Sequence, residues 1–263
     1  MKICLVQNSP VNNKDQNLTN IYNLIPNKEI DILIFPECFN SPYGIEHFKN
    51  FAEEIKEGNK TYNFLKDLSL QLNNTYIVAG SIPEKYDDKI YNTSMVWFNG
   101  VLIATYRKNN LFDINVTNAE FKESKVISSG STLTTFQTPF CKVGIGICFD
   151  IRFNQISNIY SKEGCKIIIY PASFTEYTGK LHWSILNQAR AIDSHTYIIS
   201  CSTARCETNK FKSYGHSIIV SPWGHILSEL DNKEGYLYQD IDLSLVDNMR
   251  KTLPVDQSKL FSL

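Results

Sequence analysis

Cys148 ends a short apolar run, Lys142 to Ile147. The segment that follows has helical spacing, with Phe153, Ile156 and Tyr160 able to share one face. A cysteine at a strand-to-helix turn lies near a helix N-terminus, where free N–H groups and the dipole favour a thiolate. Gly144 and Gly146 let other groups approach the backbone just before it. Two residues of complementary type hold matching positions: Glu37 follows the apolar strand Asp31 to Phe35, and Lys108 follows the strand Val101 to Tyr106. In open α/β sheets, ligand sites collect at the carboxyl ends of strands. Brought together, the three residues could transfer an acyl group. A thiol attacks a carbonyl carbon, a carboxylate takes its proton and returns it to a leaving amine, and an ammonium holds the oxyanion. Lys and Glu side by side would also hold each other charged. Taken singly, each has an ordinary reading: a buried core cysteine, a solvated loop carboxylate, a surface lysine.

The elements that must position them alternate along the chain. Strands are expected at Lys2 to Gln7, Asp31 to Phe35 and Thr75 to Ala79. Ile90 to Phe98 and Val101 to Tyr106 flank Asn99-Gly100, a two-residue hairpin signal. Thr132 to Gln137 and Lys142 to Ile147 form a further pair, and Cys165 to Tyr170 and Thr196 to Cys201 are buried strands. Ser217 to Val220 pairs with His225 to Leu230, and Tyr236 to Ile241 is last. Helices are expected near Asp15 to Leu24, at Lys60 to Leu72, after Cys148 with Gly164 as its C-cap, at Gly179 to Asp193 with Leu181, Ile185, Ala189 and Ile192 inward, and at Ser244 to Leu253. Asn115 to Ser131 reads as polar and irregular. Helices interleaved with buried strands and hairpins give an α/β fold of two packed sheets with helices outside. No repeat or linker divides residues 1–263, which read as a single domain.

Composition narrows the function classes. The 263 residues carry a net charge of -1 with no basic stripe, which argues against nucleic acid and anionic membrane as partners. No apolar run approaches the ~20 residues of a membrane span. The seven cysteines are odd in number and include no Cys-x-x-Cys, so free thiols are expected rather than a disulfide framework or a zinc site. The chain opens Met-Lys-Ile-Cys-Leu-Val directly into a strand, and a cytoplasmic location without a signal peptide is expected. The sequons at Asn17, Asn73, Asn92 and Asn115 would then be idle.

Pro36-Glu37, Tyr106-Arg107-Lys108 and Gly146-Ile147-Cys148-Phe149-Asp150-Ile151-Arg152-Phe153 resemble the three signatures of the nitrilase superfamily of carbon–nitrogen hydrolases. The similarity extends through Phe121-Lys-Glu-Ser124, Tyr170-Pro-Ala-Ser-Phe174, Thr178-Gly179, His182-Trp183, Arg190-Ala191, Gly215-His216-Ser217 and Pro222-Trp223-Gly224. Phe35 to Gly44 and Leu111 to Ile114 are most similar to the ω-amidase branch. The resemblance implies an αββα four-layer sandwich, a homodimer that buries one helical face, and a site needing no metal or organic cofactor. It implies Cys148 as nucleophile, Glu37 as general base and acid, Lys108 as stabiliser of the intermediate, Glu123 as a second carboxylate positioning Lys108 and substrate, and the Phe149 N–H as a second oxyanion donor. It implies hydrolysis of small dicarboxylate monoamides such as α-ketoglutaramate, α-ketosuccinamate and succinamate. Their free carboxylate calls for a cation or donors. Arg152, with Tyr43 beside it, is one candidate; an ion pair of Arg152 with Asp150 or another core acid is the alternative. Phe174 and Thr175 could line the pocket, or Phe174 could serve only in packing. Two departures from the family pattern stand out: Asn109-Asn110 replaces an apolar–His pair, and Ser194 stands where Asn is usual. His182 and His216 read as supporting or packing residues. Competing readings are an amidase for deaminated glutathione or another amide, which a larger pocket beside Ser173 to Thr178 would favour, and a catalytically weak dimeric scaffold.

Overall fold

The computed structural model describes residues 1–116, 119–206 and 211–254. Along the chain the elements are β1 (Lys2–Gln7), α1 (Lys14–Asn23), β2 (Ile32–Ile34), α2 (Ile45–Phe51), α3 (Lys60–Gln71), β3 (Tyr76–Tyr86), β4 (Lys89–Phe98), β5 (Val101–Arg107), β6 (Asp113–Val116) and β7 (Ala119–Lys122). There follow β8 (Thr134–Gln137), β9 (Lys142–Ile145), α4 (Asn154–Lys162), β10 (Cys165–Ala172), α5 (Glu176–Ser194), β11 (Tyr197–Ser202), β12 (Ile218–Val220), β13 (Ile226–Glu229), β14 (Gly235–Asp240) and α6 (Ser244–Thr252).

Two six-stranded sheets result, in the orders β14-β1-β2-β3-β4-β5 and β13-β12-β11-β10-β9-β8. β1, β2 and β3 run parallel, as do β9, β10 and β11, while the outer strands pair antiparallel. Alternation along β1 divides the interior. Ile3 and Leu5 join Val143, Ile145 and Ile167 between the sheets, whereas Cys4 and Val6 face Leu18, Ile21, Leu65 and Leu68 of α1 and α3. The second sheet is covered by α4 and α5 through Ile156, Tyr160, Trp183 and Ala191. The architecture is therefore an αββα sandwich. No helix among the described residues is long and apolar enough to cross a membrane.

The Asn99-Gly100 turn forms as expected, with φ of +47° and +79°. Three local readings are corrected. Asn115 to Ser131 is not wholly irregular, because β6 and β7 pair as a small hairpin that leads into a 3-10 turn at Glu123–Lys125. The segment after Cys148 is a 3-10 turn, Cys148–Arg152, and only from Asn154 does α4 begin. On α5 the inward face holds Trp183, Asn187, Arg190, Ala191 and Ser194, while Leu181, Ile185 and Ile192 are exposed. The polar members are tolerated inside because they are bonded. Arg190 Nε donates to Ile151 O at 2.7 Å, and Asn187 Nδ2 donates to Trp183 O at 2.9 Å.

Candidate active site

The loop after β2 carries Glu37 into the interior. Gly80 makes this approach possible, because a Cβ there would stand 1.8 Å from the carbonyl oxygen of Pro36. Ser81 Oγ then accepts from the Cys38 N–H at 3.1 Å and holds the loop against β3. Glu37 Oε1 accepts from Asn92 Nδ2 at 2.8 Å and from Lys108 Nζ at 2.9 Å. Its Oε2 is buried and has no hydrogen-bond partner among the described residues.

Lys108 stands just past β5, fixed by its N–H to Asn92 O at 2.8 Å. Its ammonium lies between Glu37 and Glu123, with Nζ 3.0 Å from Glu123 Oε1. Glu123 comes from the 3-10 turn after β7, where Tyr43 OH donates to Oε1 at 2.7 Å and the Phe112 N–H donates to Oε2 at 2.6 Å. Glu37, Lys108 and Glu123 are all 0% exposed. Removing such charges from water is tolerable only when they are paired and hydrogen-bonded.

Cys148 follows β9 and adopts φ +48°, a left-handed conformation that costs a non-glycine residue roughly 1–2 kcal/mol. Gly146 clears the way into this turn, since a Cβ there would meet the Tyr170 ring at 2.5 Å. The turn makes its bend at the nucleophile, and Phe149 falls in the first turn, where backbone N–H groups lack an intrahelical partner.

Electrostatics correct the expectation of a thiolate. Burial pushes the Cys148 thiol well above its ordinary value, Glu37 adds to this, and Lys108 opposes it without prevailing. Burial also raises Glu37, against the pull of Lys108 and with a push from Glu123. For Lys108, burial acts to lower the pKa, but Glu123 and Glu37 outweigh it and hold the ammonium well above the usual lysine range. The resting arrangement is a thiol beside a carboxylate with a free oxygen, and an ammonium between two carboxylates.

A cavity opens onto Cys148 and is lined by Phe112, Phe149, Arg152, Ser173, Phe174, Thr175 and Thr178. Arg152 has no carboxylate partner among the described residues. Asp150 instead accepts from Tyr106, Asn110 and the Ile147 N–H. The guanidinium lies 5.7 Å from the Phe149 ring and 5.3 Å from that of Phe174, and its Nη2 meets His182 Nδ1 at 3.3 Å. Phe174 also packs against Trp183, and Thr175 is the N-cap of α5, accepting from the Thr178 N–H at 3.1 Å. Tyr43 is not beside Arg152. It lines a different cavity, and its hydroxyl is committed to Glu123. His216 stacks on Tyr214, away from the cavity lining. Ser194 closes the end of α5 by donating to Arg190 O at 2.6 Å. Sequence reasoning missed Asn92, which appeared only as an idle sequon; an Asn inside a run of apolar strand residues was the available signal. It also missed Phe112 and Thr178 as lining residues.

A family model described as Carbon-nitrogen hydrolase matches residues 2–251. Omega-amidase NIT2 of Danio rerio is 42% identical over 230 residues, covering 87% of this chain and 82% of that protein. Omega-amidase NIT2 of Homo sapiens is 41% identical over 232 residues, covering 87% and 82%. Among solved structures, Saccharomyces cerevisiae Nit3, a member of branch 10 of the nitrilase superfamily, matches with a TM-score of 0.89 at 33% identity, over 99% of this chain and 97% of that one. With its αββα layers and this breadth of match, the chain belongs to the carbon–nitrogen hydrolase family of the nitrilase superfamily.

Proposed function

We propose that this protein is an ω-amidase, which hydrolyses the amide of small dicarboxylate monoamides such as α-ketoglutaramate, α-ketosuccinamate or succinamate to the dicarboxylate and ammonia. The observation that carries the reading is one cavity lined by both Cys148 and an Arg152 that has no carboxylate partner among the described residues. The identity to the ω-amidases of Danio rerio and Homo sapiens supports it against an amidase for deaminated glutathione.

The chemistry follows from the donors and acceptors present. Cys148 Sγ attacks the amide carbon while Glu37 Oε2 takes the thiol proton. Two of the three Lys108 N–H bonds serve Glu37 and Glu123, and the third is left for the developing oxyanion, with the Phe149 N–H as a second donor. The C–N bond breaks as Glu37 returns the proton to nitrogen, and ammonia leaves a thioester. Water, deprotonated by Glu37, attacks the thioester; the C–S bond breaks and the thiol regains its proton. Glu123 holds Lys108 in place. Arg152 receives the substrate's free carboxylate, with Phe174 and Thr175 shaping the pocket around it. The sequence of steps uses no metal or organic cofactor.

We also read residues 1–263 as one catalytic domain of a cytoplasmic homodimer that binds neither nucleic acid nor membrane. The core shared by the two sheets and the exposed apolar stripe on α5 support the first and third parts of that reading.

The test is ammonia release from α-ketoglutaramate and succinamate, with deaminated glutathione and a simple nitrile alongside and Cys148→Ala as blank. Turnover of the first two by wild type alone is expected. Turnover of deaminated glutathione only would move the protein to the sister activity, and no turnover with an unreactive Cys148 would leave the scaffold reading.

A further inference from the structure

Asp150 is a buried carboxylate that the reaction above leaves unused. Its Oδ1 accepts from the Asn110 N–H at 2.9 Å and from Asn110 Nδ2 at 2.8 Å. Its Oδ2 accepts from Tyr106 OH and from the Ile147 N–H, each at 2.8 Å. These four donors belong to two separate segments. Tyr106 and Asn110 bracket Lys108 by two residues on either side, and Ile147 immediately precedes Cys148. One carboxylate is thus bonded to both the segment that carries the ammonium and the turn that carries the thiol.

The arrangement is costly. Burial drives Asp150 upward, and the Ile147, Asn110 and Tyr106 hydrogen bonds offset that only in part. Joining the two segments by apolar contact would avoid the desolvation of a carboxylate. What a hydrogen-bonded carboxylate adds is fixed direction and distance. The φ of +48° at Cys148 also needs surroundings that over-determine it. Asp150 supplies them by accepting from the Ile147 N–H while its own N–H donates to Ile147 O at 3.0 Å.

We propose that Asp150 and Asn110 are positioning residues that set the Lys108 ammonium against the Cys148 sulfur by tying residues 106–110 to the turn at 147–150. The proposal rests on the roles given above to Lys108 and Cys148. It also gives the departure at Asn110 a function. The histidine of the family pattern carries a ring N–H, so either residue can donate at this place.

Three variants of the full chain test it. Asn110→Leu removes a side-chain donor without changing charge, Asn110→His returns one, and Asp150→Asn puts an amide where two pairs of donors converge. The first readout is kcat and KM for α-ketoglutaramate, well below each variant's melting temperature. A displacement of about 1 Å at a reacting group can cost ~100-fold, so kcat should fall by roughly 10-fold in Asn110→Leu and ~100-fold in Asp150→Asn, with KM within about twofold and Asn110→His recovering most of the loss.

The second readout is the pH profile of Cys148 alkylation by iodoacetamide, which needs no amide substrate. Lys108 lowers the thiol's pKa, so a displaced ammonium moves the midpoint up in Asn110→Leu. In Asp150→Asn, loss of a negative charge alone would move it down, so an upward shift there reports the ammonium. Unchanged kcat and unshifted midpoints in both variants, or losses that only follow the unfolded fraction, would overturn the proposal. If wild type hydrolysed none of the amides, the ω-amidase reading would fall by itself and the alkylation midpoints would still decide the positioning.

Discussion

Cys148 shares its dry surroundings with two carboxylates and one ammonium, and that balance governs how its proton can move. A thiolate would add a third negative charge against a single positive one, so the proton stays on sulfur until Glu37 takes it during attack. The sequence pointed to a thiolate because it shows the turn and not what packs beside it: Glu37 and Glu123 lie 111 and 25 residues before Cys148 along the chain. Cys148→Ser should fold and lose nearly all ammonia release, and substantial turnover by it would remove Cys148 from the nucleophile's role. Lys108→Ala should lower kcat by at least ~100-fold, as for loss of an oxyanion donor, and a change confined to KM would contradict that role. Glu37 has a raised pKa, so kcat/KM should fall on the acid side through a pKa above the ordinary 4.5, and an acid limb at or below 4.5 would contradict it. The same shift has a consequence for stability. A carboxyl raised in the folded state contributes stability that is present below its unfolded pKa and lost as pH rises through the folded one. Glu37→Gln should therefore be inactive yet melt higher than wild type at pH 8, with the gain vanishing near pH 4; equal melting curves at pH 8 would refute this.

Strands were the most legible elements, because continuous apolar runs such as Ile32 to Ile34 and Ile167 to Ile169 have few uses other than burial on both faces. Three site residues at the ends of such runs could be picked out for the same reason. Helix orientation was less legible. The inward side of α5 uses Asn187, Arg190 and Ser194. Asn187 and Ser194 donate to carbonyls one turn back on the same helix. Arg190 donates to Ile151 O and Asn187 accepts from Ser200, partners on other elements that no local pattern reveals, while Leu181, Ile185 and Ile192 face outward. Tyr43 was misplaced for a related cause, since Arg152 and Glu123 approach the nucleophile from different elements and only three-dimensional packing says which one a tyrosine meets. At this scale Gly80 is the sharpest test. A Cβ there would collide with the carbonyl oxygens of Pro36 and Phe35, at 1.8 and 2.6 Å, and neither is a movable side chain. Gly80→Ala should destabilise by about 1–3 kcal/mol in urea unfolding, as overpacking does, and should lower kcat, because Pro36 is bonded to Glu37. A variant with lost stability but full kcat would mean that the loop yields without moving Glu37.

At the level of the whole molecule, α5 has one face toward the second sheet and another that is largely exposed among the described residues. Tyr177, Leu181, Ile185 and Ile192 are 72%, 50%, 67% and 48% exposed, and their spacing of four, four and seven residues places them along one side of the helix. Isolated exposed apolar residues are ordinary, but four in a row on one helix mark a surface to be covered. The same helix reaches the cavity through Thr175 at its N-cap and through His182, which meets Arg152. Covering the stripe with the equivalent stripe of a second copy would bury it and hold the cavity wall at the same time, by a two-fold contact in which each residue meets its counterpart's surface. Ile185→Glu places a charge at the centre of that contact, where leaving it unpaired on burial is costly. The expected result is a dimer for wild type and a monomer for Ile185→Glu by light scattering after size exclusion, with folding intact because Ile185 makes no part of the core. Monomers should also show a raised KM for α-ketoglutaramate, since the wall bearing Thr175 and His182 loses its support. A wild type that is monomeric throughout would overturn the two-fold reading of α5, and a monomeric variant with unchanged KM would separate assembly from the shape of the pocket.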